Sequence, residues 1–122
     1  MNVMAARRSF AEKNRDVVRR LQQAYAEGTY QFITSREKGK AVLSKRLRFK
    51  DPKGLEETYD YFAKSFSFPT RVSPEGLRNT LEIIAQRNPA VKIDTNLGKY
   101  LDESTLDELE REGFFKRISG KS

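Results

Sequence analysis

The 122-residue chain contains no cysteine and no histidine. The absence of cysteine excludes disulfide bonds, thiolate metal sites and a cysteine nucleophile. The absence of histidine removes the usual general base and the most common zinc ligand. No remaining pair of residues offers a nucleophile with a neighbouring base. We therefore predict that the protein is not an enzyme and that it has no catalytic, cofactor-binding or metal-binding residues.

Long apolar runs are also absent from the sequence. No apolar segment reaches the roughly 18 residues that a membrane-spanning helix needs, and residues 1–6 are too short and too polar for a signal peptide. We therefore expect no membrane insertion, and we expect the chain as written to stay in the cytoplasm. The lack of cysteine by itself fits the cytosol or the periplasm equally well.

The length fits a single domain, residues 1–122, with a modest core. The 8 Phe and 5 Tyr occur at helical spacings, which argues against disorder although 34% of the residues are charged. The net charge of +7 is uneven: residues 1–50 hold 13 Lys and Arg against 4 Asp and Glu, whereas residues 51–122 hold 11 against 13. A basic amino-terminal part is one property of nucleic-acid-binding proteins.

The segment from Ser9 to about Ile33 is predicted to form one long amphipathic helix. Ser9 and Glu12 predict a capping box at its start, and we expect the helix to continue through Gly28 because the apolar pattern continues. Its apolar side chains recur every three or four residues, the repeat of one helix face: Phe10, Val17, Leu21, Ala24, Tyr25, Gly28 and Phe32. Polar side chains on the opposite face are expected to contact water: Lys13, Arg15, Asp16, Arg19, Arg20, Gln22, Gln23 and Glu27.

Four shorter helices are predicted after the long one, each from a start signal followed by an apolar stripe. The start signals are Thr34 with Glu37, Asp51-Pro52, Ser73-Pro74, and Ser104 with Asp107. The last two of these helices are predicted to end at Asn88-Pro89 and Gly113. The predicted connections are a loop at Ser65–Arg71 and an extended stretch at Ala90–Leu101. After the last helix, we expect Phe114-Phe115 to fold onto the core and Ile118–Ser122 to form a tail. The prediction is an all-α array of about five helices, in which residues 2–6 form either a short strand or the start of the long helix.

Several groups of residues are candidates for binding sites. The basic candidates for a phosphate-binding surface are Arg7-Arg8, Arg19-Arg20, and Lys45, Arg46, Arg48 and Lys50. The acidic groups are Glu56, Glu57 and Asp60, and then Asp102, Glu103, Asp107, Glu108, Glu110 and Glu112. Neither acidic group has the spacing of a calcium loop or a di-iron site, and charged helix faces are usually solvated. The five tyrosines, Tyr25, Tyr30, Tyr59, Tyr61 and Tyr100, are more typical of core than of a ligand site, so no ligand-binding residue is assigned.

A series of short motifs occurs in a fixed order along nearly the whole chain. It begins with FAEKNRDVVRRL at residues 10–21 and AYAEG at residues 24–28. It continues with Arg36-Glu37, Ala41-Val42-Leu43, Asp51-Pro52, Leu55–Tyr59, Pro69, Gly76-Leu77, Asn88-Pro89-Ala90 and Leu109–Phe114. This order resembles the C-terminal region of nitrate/sulfonate/taurine-type ABC transporter substrate-binding proteins, of the thiamine-pyrimidine-synthase-like superfamily.

The resemblance implies that the chain is a fragment or truncated form of such a protein. Members of that family resemble a two-lobed α/β clamp that is exported to the periplasm or cell surface and holds a small organic solute between its lobes. The chain resembles only the last third, and Val3–Ala6 would match the end of the last strand. Both sheets and most solute-contacting residues of the family have no counterpart, so the chain is expected not to bind solute by itself. A full-length parent would meet an ABC permease.

The same resemblance implies an uncovered surface. Helices that pack on a sheet in the parent would expose an apolar face, and large exposed patches tend to be covered by another chain. We therefore expect a homo-oligomer that buries either the stripe of Phe10, Leu21 and Phe32 or the loop of Phe66 and Phe68, with the segment before the long helix pairing across a two-fold axis. Two alternatives stay open: a basic helical nucleic-acid-binding module, and a helical protein-interaction module whose complex survives high salt.

Overall fold

The computed structural model describes residues 3–48 and 50–120, and this part of the chain is all-α. It forms α1 (Arg8–Lys13), α2 (Arg15–Thr34), α3 (Arg36–Leu47), α4 (Pro52–Ser65), α5 (Pro74–Arg87), α6 (Ser104–Arg111) and α7 (Phe114–Ser119), with a short 3-10 helix at Leu97–Lys99. The segment Val3–Ala6 belongs to no helix or strand. Asn2, the first residue of the predicted strand or helix start, lies outside the described residues.

The predicted long helix is interrupted at Asn14, where φ is −128° and ψ is 43°. The side-chain amide of Asn14 donates to the carbonyl of Phe10 at 2.9 Å, so it competes with the helical hydrogen bonds at the break. The predicted start is also wrong: α1 begins at Arg8, so Ser9 lies inside the helix and forms no cap. The expected continuation through Gly28 is confirmed, because α2 ends at Thr34.

α2 is the central helix, because α3, α4, α6 and α7 all pack against it. The main core cluster lies where α2 meets α6 and α7, and its members are Ala26, Leu106, Leu109, Phe114 and Phe115. The predicted return of the two phenylalanines onto the core is therefore confirmed. The predicted tail is wrong for Ile118 and Ser119, which belong to α7, and its last two residues lie outside the described part of the chain.

A second packed region joins the carboxyl-terminal half of α2 to α3 and α4. Tyr59 is 4% exposed, and its hydroxyl donates to the carbonyl of Phe32 at 2.9 Å. The ring of Phe32 packs against the rings of Tyr59 and Phe66. A Cβ on Gly39 would lie 2.9 Å from Cδ2 of Tyr59, so α3 and α4 meet closely only because that residue has no side chain.

Two of the four predicted start signals of the shorter helices are confirmed as caps. Asp51 accepts from the backbone N–H of Gly54 at 2.7 Å, and Ser73 accepts from that of Gly76 at 3.1 Å. The other two are wrong: Thr34 is the last residue of α2, and Ser104 is the first residue of α6 rather than its cap. In both correct cases a proline follows the cap residue and fixes its own φ for the first helical turn.

α5 lies apart from the other helices. Among the described elements it packs only against the 3-10 helix, where Leu81 is its one buried residue. Ile83 and Ile84 on the same helix are 49% and 39% exposed. α5 therefore lies outside the core cluster and packs on the 3-10 helix of the 90–101 connection.

Candidate functional site

The apolar stripe of the first two helices is exposed over most of its length. We call Phe10, Val17, Leu21, Ala24, Tyr25 and Gly28 the open stripe; its large members are 49%, 41%, 56% and 37% exposed for Phe10, Val17, Leu21 and Tyr25. Phe32 does not belong to it, because α4 covers its ring. The aromatic loop is also covered internally: Phe68 packs on Tyr30 and Phe115. Of the two surfaces expected to be free for association, the open stripe is the exposed one.

The polar face of α2 was expected to contact water. Arg15 is exposed as expected, whereas Arg19 and Gln22 are partly covered, and all three bind partners at or next to α6. Arg15 Nη2 lies 2.5 Å from Glu108 Oε1, and Arg19 Nη1 donates to Glu112 Oε1 at 2.9 Å. Gln22 accepts a hydrogen bond from the hydroxyl of Thr105, which is 4% exposed. The partners of these three side chains are Glu108 and Thr105 of α6 and Glu112, the residue that follows α6.

Arginine side chains neutralise the acidic group at residues 102–112 from two sides. Arg15 and Arg19 bind it from α2, and Arg71 binds it from the loop before α5. Arg71 contacts Glu103 at 3.2 Å, Asp107 at 2.9 Å and Glu110 at 2.5 Å. The hydrogen bond from Arg19 lowers the pKa of Glu112, and the hydrogen bond to Glu110 raises the pKa of Arg71. Sequence analysis did not single out Arg71, because its partners lie on an element distant in the chain.

The other acidic group is paired in the same way. Arg36 contacts Glu56 at 2.6 Å and Asp60 at 2.5 Å, and Lys40 contacts Glu56 at 2.5 Å. The hydrogen bond from Lys40 lowers the pKa of Glu56. In residues 3–48 and 50–120, no cluster of three or more acidic side chains has a geometry that would hold a metal ion. Both acidic groups therefore join helices to one another.

The three basic groups have different surroundings. Arg8 donates to the carbonyl of Lys99 at 3.1 Å, Arg19 is bound to α6, and Arg20 contacts Asp16 at 3.0 Å. Within the described residues of α3, the cations that form ion pairs are Arg36 and Lys40. The third basic group stays exposed at the carboxyl-terminal end of α3 and beyond it: Lys45, Arg46, Arg48 and Lys50.

An open cleft of about 880 Å³ lies beside the open stripe, between α2, α4 and the segment at 100–106. Tyr25, Tyr61 and Tyr100 line it, whereas Tyr59 is buried and Tyr30 donates to the carbonyl of Ser119. The extended segment before α1 also reaches the cleft, with Val3 and Met4 exposed by 50% and 47%. Tyr25 belongs to both surfaces, so the cleft and the open stripe form one continuous exposed region.

No helix in the described part of the chain is long and apolar enough to cross a membrane. No protein family model, no curated protein and no solved structure matches the chain.

Proposed function

We propose that the chain forms the helical C-terminal part of an ABC transporter substrate-binding protein of the nitrate, sulfonate and taurine type. The observation that supports this is the open stripe together with exposed Val3 and Met4. Exposed apolar residues on a monomer usually occur singly, and a continuous apolar surface is usually covered by another protein layer. In the proposed parent that layer is an α/β lobe, whose sheet needs helices on its faces.

The chain by itself is proposed to bind no solute. A nitrate or sulfonate anion needs free donors, above all a guanidinium that can form two hydrogen bonds. Among the described residues that line the cleft, the one cationic side chain is Arg71, and it already binds three carboxylates of the α6 region. Asp102 and Glu103 line the cleft as well and add negative charge. Solute binding therefore depends on residues of the lobes.

When no lobe covers the open stripe, a second copy of the chain takes its place, and the protein is a homo-oligomer. Each exposed member of the stripe loses contact with water on association, and burial of apolar surface is favourable by about 25 cal/mol per Å². Full-length proteins of this type would meet an ABC permease through their lobes, so contact with a permease is not a property of the chain alone.

The test uses the two α/β lobes of a taurine-binding protein of this type, expressed without their C-terminal helices. We expect the lobes to co-purify with the chain, and isothermal titration calorimetry of the mixture to give saturable heat with taurine. The chain alone is expected to give no heat with taurine, ethanesulfonate or nitrate. Saturable binding of any of these by the chain alone, or lobes that never co-purify with it, would contradict the proposal.

A matched pair of variants controls for nonspecific association. Leu21→Glu places a charge in the open stripe, and Leu47→Glu places the same charge on α3 at a leucine of nearly equal exposure, 56% and 55%. Only Leu21→Glu is expected to abolish co-purification of the chain with the lobes. Equal losses would show that the lobes bind the chain through another surface.

Nucleic-acid binding is the second candidate, and the exposed third basic group favours it. Lysine and arginine that neutralise phosphates release counterions, so affinity falls steeply as salt rises. The substitutions Lys45→Ala, Arg46→Ala and Arg48→Ala together are expected to abolish binding to a fluorescent oligonucleotide if this function is correct. Arg19 is not informative in this test, because its substitution would break its ion pair with Glu112. Fluorescence anisotropy that shows no binding at low salt would exclude this candidate.

A further inference from the structure

The open stripe contains a heptad seam within α2. Val17, Leu21, Ala24 and Gly28 follow each other at spacings of four, three and four residues, which is the pattern that places side chains along the contact line of paired helices. All four residues are exposed. The geometry points to an antiparallel, two-fold pairing of α2 with α2 of a second copy of this chain. This inference rests on the proposed self-association and names the surface that carries it.

Gly28 is the first reason for a helix as the partner. Glycine is a poor helix former, yet Gly28 lies well inside the 20-residue α2. No heavy atom lies within 4 Å of the position that a Cβ on Gly28 would take, so nothing in the described chain requires a glycine there. Gly39, in contrast, is required by the ring of Tyr59. With Ala24 one turn before it, Gly28 makes a shallow groove that allows the backbone of another helix to approach closely.

The order of large and small residues fits a second copy of the same helix. In a two-fold interface the same surface is used twice, so it must be complementary to itself. A two-fold axis midway between Gln22 and Gln23, perpendicular to the helices, places Leu21 of each copy opposite Ala24 of the other. The same axis places Val17 of each copy opposite Gly28 of the other. Every large side chain of the seam then faces a small one.

The charges beside the seam select the antiparallel direction. Arg20 and Glu27 are seven residues apart on one edge of the seam, and both are exposed. In the antiparallel pair, this edge of one copy lies beside the same edge of the other copy. At a rise of 1.5 Å per residue, Arg20 of one copy and Glu27 of the other are then about 3 Å apart along the helix axis. Two opposite-charge pairs form. In a parallel pair the edge would instead meet the side of the seam that carries Tyr25, and no such pairs form.

The available area indicates a weak dimer. An aromatic side chain covers roughly 150–250 Å² when fully buried and an aliphatic one covers less, and Phe10, Val17, Leu21 and Tyr25 are about half exposed. These side chains and the stems of Arg20 and Glu27 offer on the order of 500 Å² per copy, below the roughly 800 Å² of a standard interface. We therefore expect a dimer that dissociates in the micromolar range.

The first experiment is sedimentation velocity of the full chain over a concentration series. The wild-type chain is expected to pass from monomer to dimer with rising concentration. Leu21→Glu should raise the dissociation constant at least about tenfold, as expected for a central contact, whereas Leu47→Glu should leave it unchanged. A wild-type chain that stays monomeric at the highest soluble concentration would overturn the inference, as would equal effects of the two variants.

The second experiment exchanges the charges. Arg20→Glu or Glu27→Arg alone is expected to weaken the dimer, because each places like charges opposite each other, and the double variant is expected to restore it. A folding defect would not be rescued in this way. Circular dichroism of each variant checks that the helices remain. A double variant weaker than both single variants would show that the two side chains do not meet.

The third experiment uses the absence of cysteine from the chain, which allows single-cysteine cross-linking. In the antiparallel pair, Ala24 lies about 4.5 Å along the axis from its own counterpart, and Gly28 lies about 16 Å from its own. Ala24→Cys is therefore expected to form a disulfide-linked dimer under mild oxidation, and Gly28→Cys is not. Cross-linking of both variants would indicate a parallel pair and overturn the inference. Because none of these experiments uses lobes or solute, a monomeric chain would overturn the proposed self-association but leave the lobe and taurine tests of the proposed function unaffected.

Discussion

At the scale of single residues, two glycines in neighbouring helices have different surroundings. Gly39 is buried where α3 crosses α4, and the ring of Tyr59 occupies the space that a side chain would need. Gly28 lies on the exposed side of α2 with open space around it. The sequence alone does not distinguish them, because each simply appears as an isolated glycine in a helical pattern. Only the packing of Tyr59 decides which one the fold depends on.

The substitution Gly39→Ala is expected to lower the free energy of unfolding by about 1–3 kcal/mol, the usual cost of overpacking a close contact. The matched substitution Gly28→Ala should not lower it, and the higher helix propensity of alanine should raise it by up to about 1 kcal/mol. Urea denaturation followed by circular dichroism, at a concentration where the chain is monomeric, measures both values. Similar losses for the two variants would show that the α3 and α4 contact is looser than described.

At the scale of whole elements, α2 has one polar face that is used as a packing surface. Arg15, Arg19 and Gln22 reach α6, and farther along the same face Ala26 and Thr29 are buried. Amphipathic periodicity predicted the helix through Gly28 correctly, but it did not predict that part of the polar face packs against α6. The reason is that an arginine contacts a protein surface readily when the facing helix offers carboxylates, and these carboxylates lie about ninety residues away in the sequence.

The contact between Arg19 and Glu112 is expected to make the free energy of unfolding depend on pH in the acidic range. The hydrogen bond from Arg19 lowers the pKa of Glu112 in the folded chain, so the unfolded chain takes up the proton first as the pH falls. The contribution of this contact to the free energy of unfolding is therefore fully present above the ordinary glutamate pKa. It is lost as the pH falls through the lowered pKa of Glu112 in the folded state. Urea denaturation at a series of acidic pH values should show a steeper loss for the wild-type chain than for Glu112→Gln.

A double-mutant cycle controls that measurement. Arg19→Gln removes the other partner, so the double variant should lose little more stability than either single variant. If Glu112→Gln keeps the acid dependence of the wild-type chain unchanged, another carboxylate is responsible. Glu56 is then the first to examine, because the hydrogen bond from Lys40 lowers its pKa as well.

At the scale of the whole molecule, stability is expected to be uneven. The core cluster joins α2, α6 and α7, whereas α5 packs only against the 3-10 helix among the described elements. Elements with few buried apolar contacts open at lower free energy than elements in the core. Native-state hydrogen exchange is therefore expected to show faster exchange for the amides of residues 78–87 than for those of residues 19–33.

Two leucines provide the control for this uneven stability. Leu81→Ala should accelerate exchange in α5 and leave α2 unchanged, because Leu81 is the buried residue of that helix alone. Leu109→Ala should accelerate exchange in α2 and leave α5 unchanged, because Leu109 is fully buried in the core cluster and α5 does not belong to that cluster. Equal protection of α5 and α2 in the wild-type chain would contradict the expectation that α5 opens separately.

The sequence by itself determined the all-α class and five features of the helices: the run through Gly28, the caps at Asp51 and Ser73, and the helix ends at Asn88 and Gly113. These depend on local properties, namely apolar periodicity, a cap followed by proline, and a glycine at a positive φ of 73°. The return of Phe114 and Phe115 to the core was also predicted. Tertiary structure alone decided the remaining contacts: it attached Arg71 and the α2 arginines to the α6 region, covered Phe32 with α4 and separated α5. Those outcomes depend on which distant segments meet, and local patterns of charge and apolarity carry no information about that.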